Sequence, residues 1–257
     1  MRSMQRHLIW TIFVVSLLLL MGEASIAIAS ENTPLRPGEK LQYKVYWAMI
    51  EAADVTLEIL PMEKLSGTPA LHFAMTAATS PLVENIYPVH DRIDSYADAA
   101  MNHALQYKEK KQTRKIKDVE IAFDWQKQTV IYSKKGKKKA PVTLMPGAFD
   151  PLSIFYFFRT HELKENMEIS RPVSDGKVCV IGKAHVRSRQ KVQVAGREYD
   201  TYLVEPELGK LGGVFEKNPN AKLQIWVTTD KQRLPVMIKS EVAVGSFTAE
   251  LVGIEYR

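Results

Sequence analysis

A single cysteine, Cys179, stands among 257 residues, which excludes an internal disulfide. It lies far from the N-terminus, so no lipid-modified cysteine sits at a leader cleavage site. Its neighbours Val178 and Val180 argue for a buried, inert thiol. Past residue 22 no apolar run approaches the roughly 20 residues that a spanning helix needs. Chemistry is equally scarce. Val244-Gly245-Ser246-Phe247 lacks the second glycine of a nucleophile elbow, His161-Glu162 has no second histidine at helical spacing, and Gly209, Gly212 and Gly213 miss the dinucleotide spacing. No catalytic motif, metal site or cofactor is expected.

What the chain does have begins at its N-terminus. Arg2 and Arg6 precede the uncharged run Leu8 to Gly22, and Ala27-Ile28-Ala29 follows. A basic start, an apolar centre and small residues at the end form a secretory signal peptide over residues 1–29, leaving 30–257 as one β-rich domain. Glu23 interrupts the run too early for a retained anchor. An exported chain of this size without paired cysteines fits a bacterial periplasm. Without the leader the balance is 33 basic to 28 acidic residues, which favours anionic partners. Outside the cytoplasm these are envelope components such as lipid headgroups, and nucleic acid is not expected.

Period-two alternation dominates the rest. Leu41, Tyr43, Val45 and Trp47 share one strand face, and the pattern returns at Val55-Leu57-Ile59, Val119-Ile121-Phe123-Trp125 and Phe247-Ala249-Leu251. One apolar and one wet face imply an antiparallel sheet covered on one side. Turn residues at Ser133 to Lys137, Asp230 to Arg233 and Val244 to Ser246 join the strands into a meander of ten to twelve. One segment breaks the pattern, Asp150-Pro151-Leu152-Ser153-Ile154-Phe155-Tyr156-Phe157-Phe158-Arg159. Asp at the N-cap and Pro at the first helical position start a helix, and its bulky apolar residues must be covered on nearly all sides. The expected fold is mainly β, a curved antiparallel sheet or open, flattened β-barrel with this helix on its concave face.

Gly38-Glu39-Lys40-Leu41-Gln42-Tyr43 with Trp47, Asp150-Pro151-Leu152-Ser153 with Tyr156 and Arg159, and Ile225-Trp226-Val227-Thr228-Thr229-Asp230 with Leu234-Pro235-Val236 and Val244-Gly245-Ser246-Phe247 carry a resemblance. Together they resemble the bacterial envelope family called domain of unknown function 3108 (DUF3108) over nearly the whole chain. Many members carry Ala-Gly where this chain has Ala52-Ala53. The resemblance implies a periplasmic β-rich protein and supplies no catalytic residues. In outline the C-terminal strands are also similar to the periplasmic lipoprotein carriers, incomplete barrels that hold acyl chains.

Two functions follow as expectations. The first is a noncatalytic module that binds or chaperones a lipidic or amphipathic envelope component, with Trp47, Trp125, Phe155, Phe157 and Trp226 lining its cavity, and Tyr43 and Phe123 nearby in the pattern. Lys134, Lys135, Lys137, Lys138 and Lys139 would form an anion-facing patch. Its distinguishing feature is a dry apolar groove beside the Asp150 helix. The second is an envelope glycan hydrolase or lyase using Asp91 and Asp94, beside His90 and Arg92, as carboxylates across a groove.

Overall fold

The structure, a computed structural model, describes residues 34–112, 116–207, 222–242 and 245–257. The leader assigned to residues 1–29 lies outside them, as do Gly209, Gly212 and Gly213. Residues 34–257 form one compact unit.

Among the described residues fifteen strands, not ten to twelve, form one antiparallel sheet. In chain order they are β1 (Glu39–Trp47), β2 (Ile50–Leu65), β3 (Thr68–Thr79), the short helix α1 (Pro81–Glu84), β4 (His90–Asp98), β5 (Ala104–Gln112), β6 (Lys117–Asp124), β7 (Thr129–Lys134), β8 (Lys137–Lys138) and β9 (Val142–Thr143). Helix α2 (Ser153–Arg159) follows, then β10 (Glu168–Ser174), β11 (Cys179–Val194), β12 (Arg197–Glu207), β13 (Lys222–Thr228), β14 (Pro235–Val242) and β15 (Gly245–Tyr256). The extra strands are short or split pieces such as β8 and β9, too brief to show a period. Paired strands are adjacent in sequence with two exceptions: β1 pairs with β15 as well as β2, and β9 pairs with β7. The expected meander is therefore present in two runs, one from β1 to β8 and one from β10 to β15.

Alternation places the core as the sequence implied. In β6, Val119, Ile121 and Phe123 are buried while Glu120 and Ala122 are exposed. In β1, Leu41 and Tyr43 are buried, but Val45 is half-buried and Trp47 exposed, because the strand runs out of the core toward one end.

The sheet does not close by strand pairing. The seam between its two edges is crossed by the segment after β9, in which Ala148 accepts from the Ala104 amide and Phe149 pairs in parallel with Val173. Gly176, at positive φ in the β10–β11 turn, allows that turn to approach β6 and β7. A Cβ there would lie 3.0 Å from Ile121 and 3.2 Å from Tyr132. This irregular segment then carries the chain inside the curved sheet, where α2 sits.

Antiparallel order alternates the turns between two ends of the sheet. One end holds the β2–β3, β4–β5, β6–β7, β11–β12 and β13–β14 turns. The other holds the β1–β2 turn, α1, the β7–β8 and β10–β11 turns, the ends of β5 and β14 and the starts of β6 and β15.

Candidate functional site

Helix α2 starts at Ser153, two residues later than the sequence pattern suggests, with Pro151 and Leu152 in a turn before it. Asp150 nonetheless performs the capping. Its Oδ1 accepts the amides of Leu152 (2.8 Å) and Ser153 (3.0 Å), and its Oδ2 accepts the hydroxyls of Ser95 (2.7 Å) and Ser153 (2.6 Å). These four donors satisfy a carboxylate with no exposed surface. Burial pushes the Asp150 carboxyl above its ordinary range, and the hydrogen bonds offset this only in part.

One side of α2 is packed hard. Tyr156 stacks on Phe73 with ring centres 4.0 Å apart, and Phe157 meets Phe149 at 4.8 Å under the Arg171 guanidinium. At the end of the helix the buried Arg159 binds Glu39 through both terminal nitrogens, at 2.6 and 2.9 Å, and also reaches the Gln232 carbonyl. Burial disfavours the charge on Arg159, but Glu39 overrides it and holds the guanidinium above its ordinary value. Its Nε has no hydrogen-bond partner.

The other side of α2 is not filled. Phe155 and Phe158, both half-buried, face Ile169, Ala184, Val186, Val204, Ile225 and Val227 across a cleft of about 460 Å³, counting the part open to solvent. The room left between its walls is narrow, enough for a water or two. Arg159 is the one charged residue in the lining, and Glu39 neutralises it. Such a cleft can receive an apolar chain, but it offers no free charge to a headgroup.

Of the residues singled out by sequence, Phe155 lines the cleft. Phe157 lies on the packed side of α2. Trp226 is buried between the lining residues Ile225 and Val227, its indole N–H without a hydrogen-bond partner. Trp125 occupies the β6–β7 turn, where it donates to the Ala104 carbonyl at 2.8 Å and stacks on Phe123. Trp47 stacks on Phe247 at the far end of β1. Tyr43 is fully buried and donates to the Pro235 carbonyl at 2.7 Å. Lys134, Lys135, Lys137, Lys138 and Lys139 form the exposed β7–β8 hairpin. Cys179 is half-buried where full burial was expected, and it accepts the Met145 amide at 3.4 Å. Burial pushes its thiol up, which disfavours the reactive thiolate.

The carboxylates of β4 do not form a pair. Asp91 and Asp94 are three residues apart on one strand and so occupy opposite faces. Asp94 faces outward to Arg92 (2.6 Å) and His72 (2.9 Å). Asp91 faces inward, beside a charged cluster on β5 and β6. Glu109 is buried there and binds Lys111 (2.9 Å) and Lys117 (2.8 Å). Burial pushes Glu109 up, and the two lysines more than offset this, holding it below its ordinary value. Asp91 is pushed up by burial. No group of side chains able to hold a metal ion occurs among the described residues.

Phe158 belonged to the apolar helix already noticed, so its role was within reach of the sequence. The wall of valines and isoleucines was not, because each is an ordinary inward strand residue. The Glu39–Arg159 pair, 120 residues apart, leaves no local signal.

A curved antiparallel sheet wrapped around a buried helix, with a cleft between the two, defines a barrel-like protein. The chain belongs to the DUF3108 family, described as "Protein of unknown function", whose profile matches residues 42–252. A crystal structure of a β-barrel-like protein of domain of unknown function DUF1849 from Brucella abortus is similar in fold. Its TM-score is 0.55 at 9% identity, covering 87% of this chain and 98% of that one. The hypothetical protein CT021 of Chlamydia trachomatis aligns at a TM-score of 0.36 and 8% identity, over 86% of this chain and 88% of that one. No curated protein matches the chain. No helix among the described residues is long and apolar enough to cross a membrane.

Proposed function

We propose that this protein is a noncatalytic, exported module of the bacterial periplasm that takes the acyl tail of an envelope lipid into the cleft beside α2. The observation that carries the reading is the unfilled apolar space between Phe155 and Phe158 and the β10–β13 wall. Each methylene that leaves water gains roughly 0.8 kcal/mol, so a single tail is a substantial ligand. Because Glu39 already neutralises Arg159, the headgroup stays outside. Because the cleft is narrow, a tail of more than a few methylenes must swing Phe155 and Phe158 aside. The basic, apolar and small-residue order of residues 1–29 supports export.

The test is titration with a fluorescent eighteen-carbon fatty acid, together with mass spectrometry of organic extracts of the purified protein. Saturable binding near one per chain, weakened about tenfold or more by Ala184→Leu, is the expected result. Non-saturable partitioning that ignores Ala184→Leu, with lipid-free extracts, removes the proposal.

A further inference from the structure

Thirteen large apolar side chains are exposed among the described residues, and their distribution is uneven. Eight lie at one end of the sheet: Trp47, Met49 and Ile50 at and beside the β1–β2 turn, Leu82, Ile86 and Tyr87 in and after α1, then Ile116 just before β6 and Val178 just before β11. Scattered exposed apolar residues need no explanation, but a concentration at one end does.

These turns are contiguous. The Ala48 amide bonds to Ser246 at the start of β15, and Ser80, just before α1, bonds to Glu51 and Ala52 of β2. His90, at the start of β4, contacts Glu84 of α1 and pairs with Gln112 at the end of β5. Next along the rim, the Lys135 amide bonds to Asp118 at the start of β6. An apolar arc thus passes into a basic one, the exposed hairpin Lys134 to Lys139, which contains no acidic residue. Lys177 extends it, lying over the Tyr132 ring at 5.5 Å as Lys139 does.

We infer that this end of the protein docks on a lipid bilayer bearing anionic headgroups. The apolar residues seat in the interface while the lysines lie against phosphates, the two signals that stable membrane attachment takes. Tryptophan and tyrosine at Trp47 and Tyr87 suit the headgroup level. Charge decides against a second copy of the chain as the occupant, since a two-fold contact on this end would bring lysine-rich hairpins toward one another. The inference rests on the rim and not on the cleft, so each can fail without the other.

The test uses the chain from Ser30 onward, which keeps the whole compact unit of residues 34–257 and omits the apolar leader. It is floated with vesicles of phosphatidylglycerol and phosphatidylethanolamine, and with vesicles of phosphatidylcholine alone. Binding to the anionic vesicles is expected, weakened about tenfold or more by the charge reversal K134E/K135E/K137E/K138E/K139E and likewise by M49D/L82D. Met62→Asp, exposed on β2 away from these turns, should change nothing. Failure to float with anionic vesicles overturns the inference, as does floating that survives both rim sets. Rim variants that alter the oligomeric state while leaving vesicle binding intact would instead assign the surface to copies of the chain. Should a rim variant misfold, brominated acyl chains decide: quenching of tryptophan emission that Trp47→Phe removes supports docking, and quenching that Trp47→Phe leaves in place, or none at all, overturns it.

Discussion

The two walls that enclose α2 are built from the same kinds of residue and do opposite things. Against β3, the helix stacks Tyr156 on Phe73 at 4.0 Å and anchors its cap through Ser95 of β4. Against β10–β13 it presents Phe155 and Phe158 to branched aliphatic side chains across open space. Ring stacking and buried hydrogen bonds fix the helix to one wall, and because a short helix cannot reach both, the far wall keeps its cleft. Tight packing on one side is thus the reason that the other side keeps unfilled space.

The largest effect that would test this contrast comes from the anchor at the end of α2. Arg159→Met leaves the Glu39 carboxylate buried without its partner, and about 3–5 kcal/mol of stability should be lost in chemical denaturation. Adding Glu39→Met to it should restore most of that loss. A single variant that unfolds at the same denaturant concentration as the parent would show that the pair does not hold the helix.

A similar loss, about 3–5 kcal/mol, is expected for Phe73→Ala on the packed wall. The counterpart on the open wall, Ala184→Leu, adds carbon where there is room and should cost less than about 1.5 kcal/mol. Equal destabilisation by the two substitutions would erase the distinction between the walls.

The smallest effect is a pH dependence at the helix start. Burial raises the Asp150 carboxyl, so this group adds stability below the unfolded value of about 3.9 and loses it as pH rises through the raised folded value. Asp150→Asn keeps an oxygen for the two amides and cannot ionise. The stability of the parent minus that of the variant should therefore fall between acid and neutral pH. Glu109 and Asp94, both held below their ordinary values, act in the opposite direction but are common to both proteins and cancel. Parallel stability curves for the two proteins would mean that Asp150 titrates at its ordinary value.

Much of the architecture was legible because it is written locally. Strand alternation at Val119-Ile121-Phe123 and the Asp150 start of an all-round apolar helix follow from side-chain period and backbone hydrogen bonding. The site was legible only in part. Phe155 could be anticipated from the helix alone, whereas the wall residues of β10–β13 differ in no local respect from those that pack tightly elsewhere. Trp47 shows the reverse failure: its alternation pointed inward, but the strand had already left the core.

By itself the sequence determined the strands, the buried helix and the basic character of the hairpin from Lys134 to Lys139, since each depends on neighbours a few residues away. Only the tertiary structure decided which side of α2 would be packed, which exposed turns would share one end, and that Glu39 would meet Arg159. Those outcomes depend on how a curved sheet brings distant segments together, and no local pattern records that curvature.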